Sequence, residues 1–496
     1  MSRRPARRKA FATTVVAALF VLALVLAGGT PVGRSLAAPL TRSTAPPRAI
    51  GSPRLRAALV ERGILHLQPP AGEGAGDCPE IELATRPPAP DTVPSTNVAP
   101  PEARESREPF VSLWLDPCRL ARLHATPWKR GRETEEVGWV SIFAGGSILL
   151  ESAVGVRIHG GISRHEPPFS YRLYFRREYG SPGVPGELLA PDLDLPVARL
   201  VLAELDDRDR DGSLWYLPGV AALEVGRRLG AATPAARPVH FSLGGGDPHL
   251  VLASERIDSD YLTRHYGHPE FDLVRGKREG NDSADELFRD ELDWIADRPA
   301  PLTAAVAATR YDLDSLLSWL VSVVVCGTGD LYQDALVRDR TGLVRDGRWF
   351  WIHWDHDMSF RTPPRNSRFG RFEDAFPYIV WSGREWDVAP ARALLVRLLT
   401  EDPSFRARVA DRFEQAFRSE LTPAFFAALV DRQEDEARRM GFADLHFAGQ
   451  LRSFFAGRPE ALRPQIAEVL RAAGDPGTTR PPGLVRRRGR SASVDP

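Results

Sequence analysis

The stretch that most restricts how this 496-residue chain can fold is 321–360. An apolar helix, capped by Asp312 and carrying Leu313, Leu316, Leu317, Leu320 and Val324 on one face, is expected to end at Cys326. Gly327-Thr328-Gly329 leads into Asp330. A short strand follows, Ala335-Leu336-Val337-Arg338, then a turn over 339–347 and a second strand over 349–354 that delivers Asp355-His356-Asp357. Helix, glycine-rich loop with an acid, hairpin and a further acid at the strand end form the layout of a phosphoryl-transfer loop and metal site. One carboxylate there orients or deprotonates the attacking hydroxyl, and another holds Mg²⁺ against nucleotide phosphates. Plainer readings stand beside this one. Aspartate next to glycine is an ordinary turn residue, Asp355 and Asp357 can face solvent or hold a structural Ca²⁺, and alternating His353, Asp355 and Asp357 also suit a transition metal.

The N-terminus reads as an export signal. Arg3, Arg4, Arg7, Arg8 and Lys9 precede an apolar run over 15–27, and Ser35-Leu36-Ala37 is a small-x-small cleavage pattern. The run is shorter than the roughly 20 residues that usually span a bilayer. Cleaved secretion is the expectation for 1–38, with an uncleaved anchor as the alternative. Residues 39–105 read as a Pro/Ala-rich linker, 106–475 as one globular region, and 476–496, with Arg486-Arg487-Arg488 and Arg490, as a basic disordered tail. Formal net charge is zero, so composition does not point to nucleic acid as a partner. Of three cysteines, Cys78 and Cys118 lie outside apolar helices and export would permit them to pair. Cys326 reads as an inert core thiol.

The first half of the globular region is strand-rich, over 137–143, 148–158, 171–175 and 200–205. A helix then begins near Pro218, with Ala221, Val225 and Leu229 on one stripe and Gly230 as its stop. A hairpin turns through Gly-Gly-Gly-Asp-Pro between 239–243 and 250–253. The second half is more helical, including 391–418, 422–440 and 456–473. The fold class expected is α+β, a strand-rich N-terminal lobe followed by a mainly helical C-terminal lobe.

Several motifs, in order over about 150–375, carry a family resemblance. They are Gly155-Val156-Arg157-Ile158-His159-Gly160-Gly161 with Ser163-Arg164, Ser170-Tyr171-Arg172-Leu173-Tyr174-Phe175-Arg176 with Glu178-Tyr179-Gly180, Ser254-Glu255-Arg256-Ile257-Asp258, and Trp354-Asp355-His356-Asp357-Met358-Ser359-Phe360. The chain thereby resembles the CotH kinase family, atypical kinases associated with spore coats and found in secreted bacterial proteins. The resemblance implies a two-lobed kinase-like fold, ATP as donor, Mg²⁺ or Mn²⁺ as cofactor, and a hydroxyl on an extracytoplasmic protein of the cell envelope or surroundings as acceptor. It makes Asp330 the catalytic base or nucleophile-orienting carboxylate, Asp355 a metal ligand with Asp357 sharing that role, and Glu255 an acid orienting a basic side chain on the phosphates.

Two positions depart from the family pattern. Phe169 stands where a lysine is usual, and lysine occurs only at Lys9, Lys129 and Lys277. Lys277 is therefore the substitute lysine in the domain core, with Arg172 a second phosphate contact. Gln333 stands where a metal-binding asparagine is usual, with Asp334 adjacent. Two other functions remain open, a catalytically weak kinase-like binding or structural module of the envelope or spore coat, and a carbohydrate hydrolase using Asp330 and Asp355 as a carboxylate pair.

Overall fold

In a computed structural model, the described residues are 78, 108–165, 167–204, 216–275, 279–280, 284–328, 335–356, 359–360, 376–377, 380, 389–441 and 446–475. The segment 1–38, the linker 39–105 apart from Cys78, and the tail 476–496 lie outside them. Among the described residues no helix is long and apolar enough to cross a membrane.

Alternating apolar positions make the first half a barrel. Strands β1 (Phe110–Leu115), β2 (Glu136–Ala144), β3 (Ser147–Ile158), β4 (Tyr171–Tyr174), β5 (Arg199–Ala203), β6 (Ala236–Leu243) and β7 (His249–Glu255) close in the order β1-β2-β3-β4-β5-β7-β6. Val154, Val156 and Ile158 of β3, Leu173 of β4, Leu200 and Leu202 of β5 and Val251 and Ala253 of β7 share its interior. With a side-chain period of two, Arg157, Arg172, Tyr174 and Arg199 fall on the opposite, outer face. The seam is a parallel pairing of β1 with β6, Phe110 opposite His240 through Leu113 opposite Leu243. The expected strand-rich first half is present, and its strands form a closed barrel, a topology the sequence patterns do not specify.

Helix α1 (Pro117–Ala125) follows β1, capped by the Asp116 side chain on the Cys118 amide, and Cys118 is disulfide-bonded to Cys78. Between β5 and β6 lies α2 (Tyr216–Arg228), which Gly230 ends at φ 80°. After the barrel come α3 (Ser259–Tyr266) and a second sheet, β11-β10-β8-β9, from β8 (Phe271–Arg275), β9 (Glu279–Gly280), β10 (Ala335–Asp339) and β11 (Phe350–Ile352). Helix α4 (Ala284–Asp297) sits between β9 and the central α5 (Leu313–Cys326), whose residues are nearly all buried. Asp312 caps α5 as expected, accepting from the Asp314 and Ser315 amides.

The C-terminal helices are α6 (Pro390–Glu401), α7 (Pro403–Gln415), α8 (Pro423–Arg439), α9 (His446–Phe455) and α10 (Arg458–Ala473). They pack with α2 and α5 into the largest core cluster. The single helix expected over 391–418 is two. Asp402 leaves helical geometry at ψ 104° to cap the Ser404 and Phe405 amides, and Pro403 takes the first position of α7, where no amide is needed.

Candidate active site

The described flanks of two loops that the sequence marks as chemical meet at the C-terminal end of α5. Gly327 ends the helix in the left-handed conformation, at φ 61°. The Phe360 amide donates to the Cys326 carbonyl at 2.9 Å, and the Thr328 and Ser359 hydroxyls are 2.9 Å apart and buried. Thr328 precedes Asp330 by two residues, and Ser359 follows Asp357 by two. Buried Arg458 donates to the Val324 and Val325 carbonyls, satisfying acceptors that a helix end leaves open. Burial pushes the Cys326 thiol up to about 12, consistent with its reading as an inert core group.

The β10–β11 hairpin is pinned to α5. Ser315 Oγ accepts from the Trp351 amide at 2.8 Å and donates to the Trp351 carbonyl at 3.3 Å, and the Asp312 amide donates to the Trp349 carbonyl at 2.7 Å. β11 ends at Ile352 and the chain turns at Asp355, which is half-buried with φ 58°. A non-glycine residue in that region carries strain that clusters at functional sites, and aspartate is among the types that tolerate it. His353 and His356 are buried with rings 5.2 Å apart. Burial pushes His356 down to about 4; burial, then the His356 charge, holds His353 well below its usual value, so both are neutral at pH 7. Among the described residues no group of three or more His, Cys, Asp or Glu is placed to hold a metal ion. The Asp355 carboxylate is an oxygen donor of the hard type that Mg²⁺ prefers.

Of the other residues singled out from the sequence, Asp330, Gln333, Asp334, Asp357 and Lys277 lie outside the described residues. Glu255, 3% exposed, accepts from Arg264 Nη2 at 2.9 Å and the Ala235 amide at 2.8 Å, with His265 Nε2 at 2.9 Å. Burial alone would raise its carboxyl; His265, the Ala235 amide and Arg264 outweigh that and hold it below the usual carboxylate range. These partners of Glu255 come from α3 and the β6 approach. Arg172 donates from Nε to His159 Nδ1 at 2.6 Å on the outer barrel face. Phe169 packs against the barrel interior, 4.7 Å from the His124 ring, and Trp351 stacks 6.0 Å from Tyr311 in the helical core.

One feature that motif spacing does not reveal is the gathering of arginines around Tyr174. Arg157, Arg176 and Arg256 lie 4.4, 5.2 and 5.8 Å from its ring centre. Gly155 makes room for this face, since a Cβ there would stand 2.3 Å from Glu135 Oε1, the carboxylate that accepts from Arg157 and Arg176. Arg275, at the end of β8, lies 5.8 Å from the ring of Trp354, the residue before Asp355.

Residues 156–446, more than half of the chain, match the family described as CotH kinase protein. The chain belongs to the CotH kinase protein family. Membership implies a kinase-like function and, in general terms, ATP and a divalent metal. Among curated proteins nothing matches. Among solved structures, the Helicobacter pylori proinflammatory kinase CtkA is similar over 55% of this chain and 91% of that one, with 11% identity and a TM-score of 0.29.

Proposed function

We propose that this CotH-family chain is an exported atypical protein kinase, two-lobed in arrangement, that transfers the γ-phosphoryl group of ATP to a hydroxyl of an extracytoplasmic protein. The observation that carries the reading is the Thr328–Ser359 contact at 2.9 Å, which joins the flanks of the Asp330 and Asp355–Asp357 loops at one helix end. In this reading Asp330 orients the acceptor hydroxyl and takes its proton. Asp355, with Asp357 and Gln333, holds Mg²⁺, which when bound neutralises charge on the phosphates. Arg172 meets the phosphates from the barrel side, and Lys277 is the available lysine. Glu255 supports α3 beside the site, its carboxylate already occupied by Arg264 and His265. Two observations favour an open nucleotide site over a closed binding module. Phe169 and Trp351 pack into the barrel and the helical core, and Asp355 is not fully buried. Export rests on the N-terminal pattern at 1–38.

The test is a thermal-shift titration of the full chain with ATP in Mg²⁺ or Mn²⁺. Wild type should gain several degrees, and Asp355→Asn should lose most of the metal-dependent part. A wild type indifferent to nucleotide with either metal would sink the proposal.

A further inference from the structure

We propose that the corner where α9 meets α10 positions both acidic loops, with Arg458 as the positioning residue and Phe454 as its link to the second loop. The proposal rests on the kinase reading and adds to it a support behind the loops. Phe454, Phe455 and Arg458 all lie past residue 446, where the family match ends.

Arg458 opens α10 and is 7% exposed. Its Nε donates to the Val325 carbonyl at 3.0 Å and its Nη2 to the Val324 carbonyl at 2.8 Å. Both carbonyls belong to the last turn of α5, where a helix leaves acceptors open and carries partial negative charge. The Val324 carbonyl also takes the Gly327 amide at 3.3 Å, and the Val323 carbonyl takes the Thr328 amide at 3.0 Å. The guanidinium therefore grips the same turn from which the chain departs toward Asp330. A planar fork of donors suits two neighbouring carbonyls, and an ammonium does not reproduce it.

The same side chain reaches the flank of the second loop. Its guanidinium carbon lies 4.6 Å from the centre of the Phe454 ring, and Phe454 meets Phe360 edge-on at 5.3 Å. Phe455 meets Phe360 at 5.2 Å and stacks on Phe426 of α8 at 4.1 Å, which anchors the corner to the C-terminal helices. Phe360 closes the Trp354-to-Phe360 motif and stands at φ 59°. A bulky residue holds that conformation only where its surroundings over-determine it. Here those surroundings include the two rings of α9 and the Cys326 carbonyl, which takes the Phe360 amide at 2.9 Å. The contacts close a circuit, from the α5 carbonyls through Arg458, Phe454 and Phe360 back to α5. The Thr328–Ser359 hydroxyl contact joins the same two segments.

The experiment combines hydrogen exchange, read over 327–334 and 355–360, with self-labelling of the full chain by γ-labelled ATP and Mg²⁺. The proteins are wild type, Arg458→Met, Arg458→Lys, Phe454→Leu and Arg463→Gln. Arg463, on the same helix and paired with Glu414 at 2.9 Å, is the control. Each variant is first matched to wild type by circular dichroism and Tm. The corner predicts that Arg458→Met speeds exchange about tenfold or more in both segments and leaves the barrel strands at the wild-type rate. Its labelling rate at saturating ATP should fall about tenfold or more, while the ATP concentration for half that rate stays within about twofold. Arg458→Lys should recover part of both losses. Phe454→Leu, which keeps apolar bulk, should show the same pattern at smaller size even if Arg458→Met does not fold. The control should match wild type. Labelling that falls only in step with Tm, or exchange that rises across the whole chain, makes Arg458 a packing residue and overturns the proposal while the kinase reading stands. Loops that open without any loss of labelling overturn it as well. A wild type that takes no label removes the kinase reading and the positioning role with it, whatever the exchange shows.

Discussion

Asp355 adopts φ 58° three residues past the end of β11, a left-handed conformation that aspartate tolerates better than most residues. Its place was legible because Trp354-Asp355-His356-Asp357 stands at the end of a readable strand. Glu255 was less legible. The motif around it marks an important acid, but its partners Arg264 and His265 are known only once α3 folds back on β7. The arginines around Tyr174 lie on β3 and just past the ends of β4 and β7, and their convergence depends on strand register, which no single motif contains. His124 provides a test at the same scale. Burial pushes it down to about 4, with its Nε2 2.8 Å from the Tyr171 hydroxyl. The unfolded chain takes that proton near pH 6.5 and the folded one only near 4, so the stabilisation is complete above 6.5 and fades as pH falls toward 4. Allowing for solvent screening, roughly 1–2 kcal/mol is at stake. His124→Gln should flatten the fall of Tm across that window relative to wild type, and an unchanged slope would refute the assignment.

The element that organises the site is α5, with the hairpin behind it. Its cap, its apolar face and its glycine stop were all readable from local pattern, and so were both hairpin strands. What pattern could not supply is the return of the chain at Ser359–Phe360 onto the helix end, a contact across 31 residues between Thr328 and Ser359. Replacing Thr328 by Val leaves the Ser359 hydroxyl buried without that partner, which typically costs about 1–3 kcal/mol. If the contact aligns the acidic loops, the variant should lose phosphoryl transfer out of proportion to its loss of Tm. Serine at 328 should restore much of it. Activity that tracks Tm alone would make the contact a packing feature. The split between α6 and α7 shows how an Asp-Pro pair overrides a continuous helical pattern.

At the scale of the whole molecule, the order of strand-rich and helical halves was visible in the sequence, but closure of the barrel was not. β1 and β6 are separated by more than a hundred residues, and a parallel pairing has no hairpin turn to announce it. The Cys78–Cys118 disulfide ties a point before the barrel to α1 across 40 residues. By loop entropy such a link stabilises by about 4 kcal/mol, so mild reduction should lower Tm by several degrees, and Cys118→Ser should remove that sensitivity. The central claim is that the two acidic loops form a working phosphotransfer centre. Its most direct test is incubation of the full chain with γ-labelled ATP and Mg²⁺ or Mn²⁺, comparing wild type with Asp330→Asn and Asp355→Asn. The account predicts label on the wild-type protein and a loss of about a hundredfold or more in each variant. No label on wild type with either metal, or equal label on all three proteins, would contradict it.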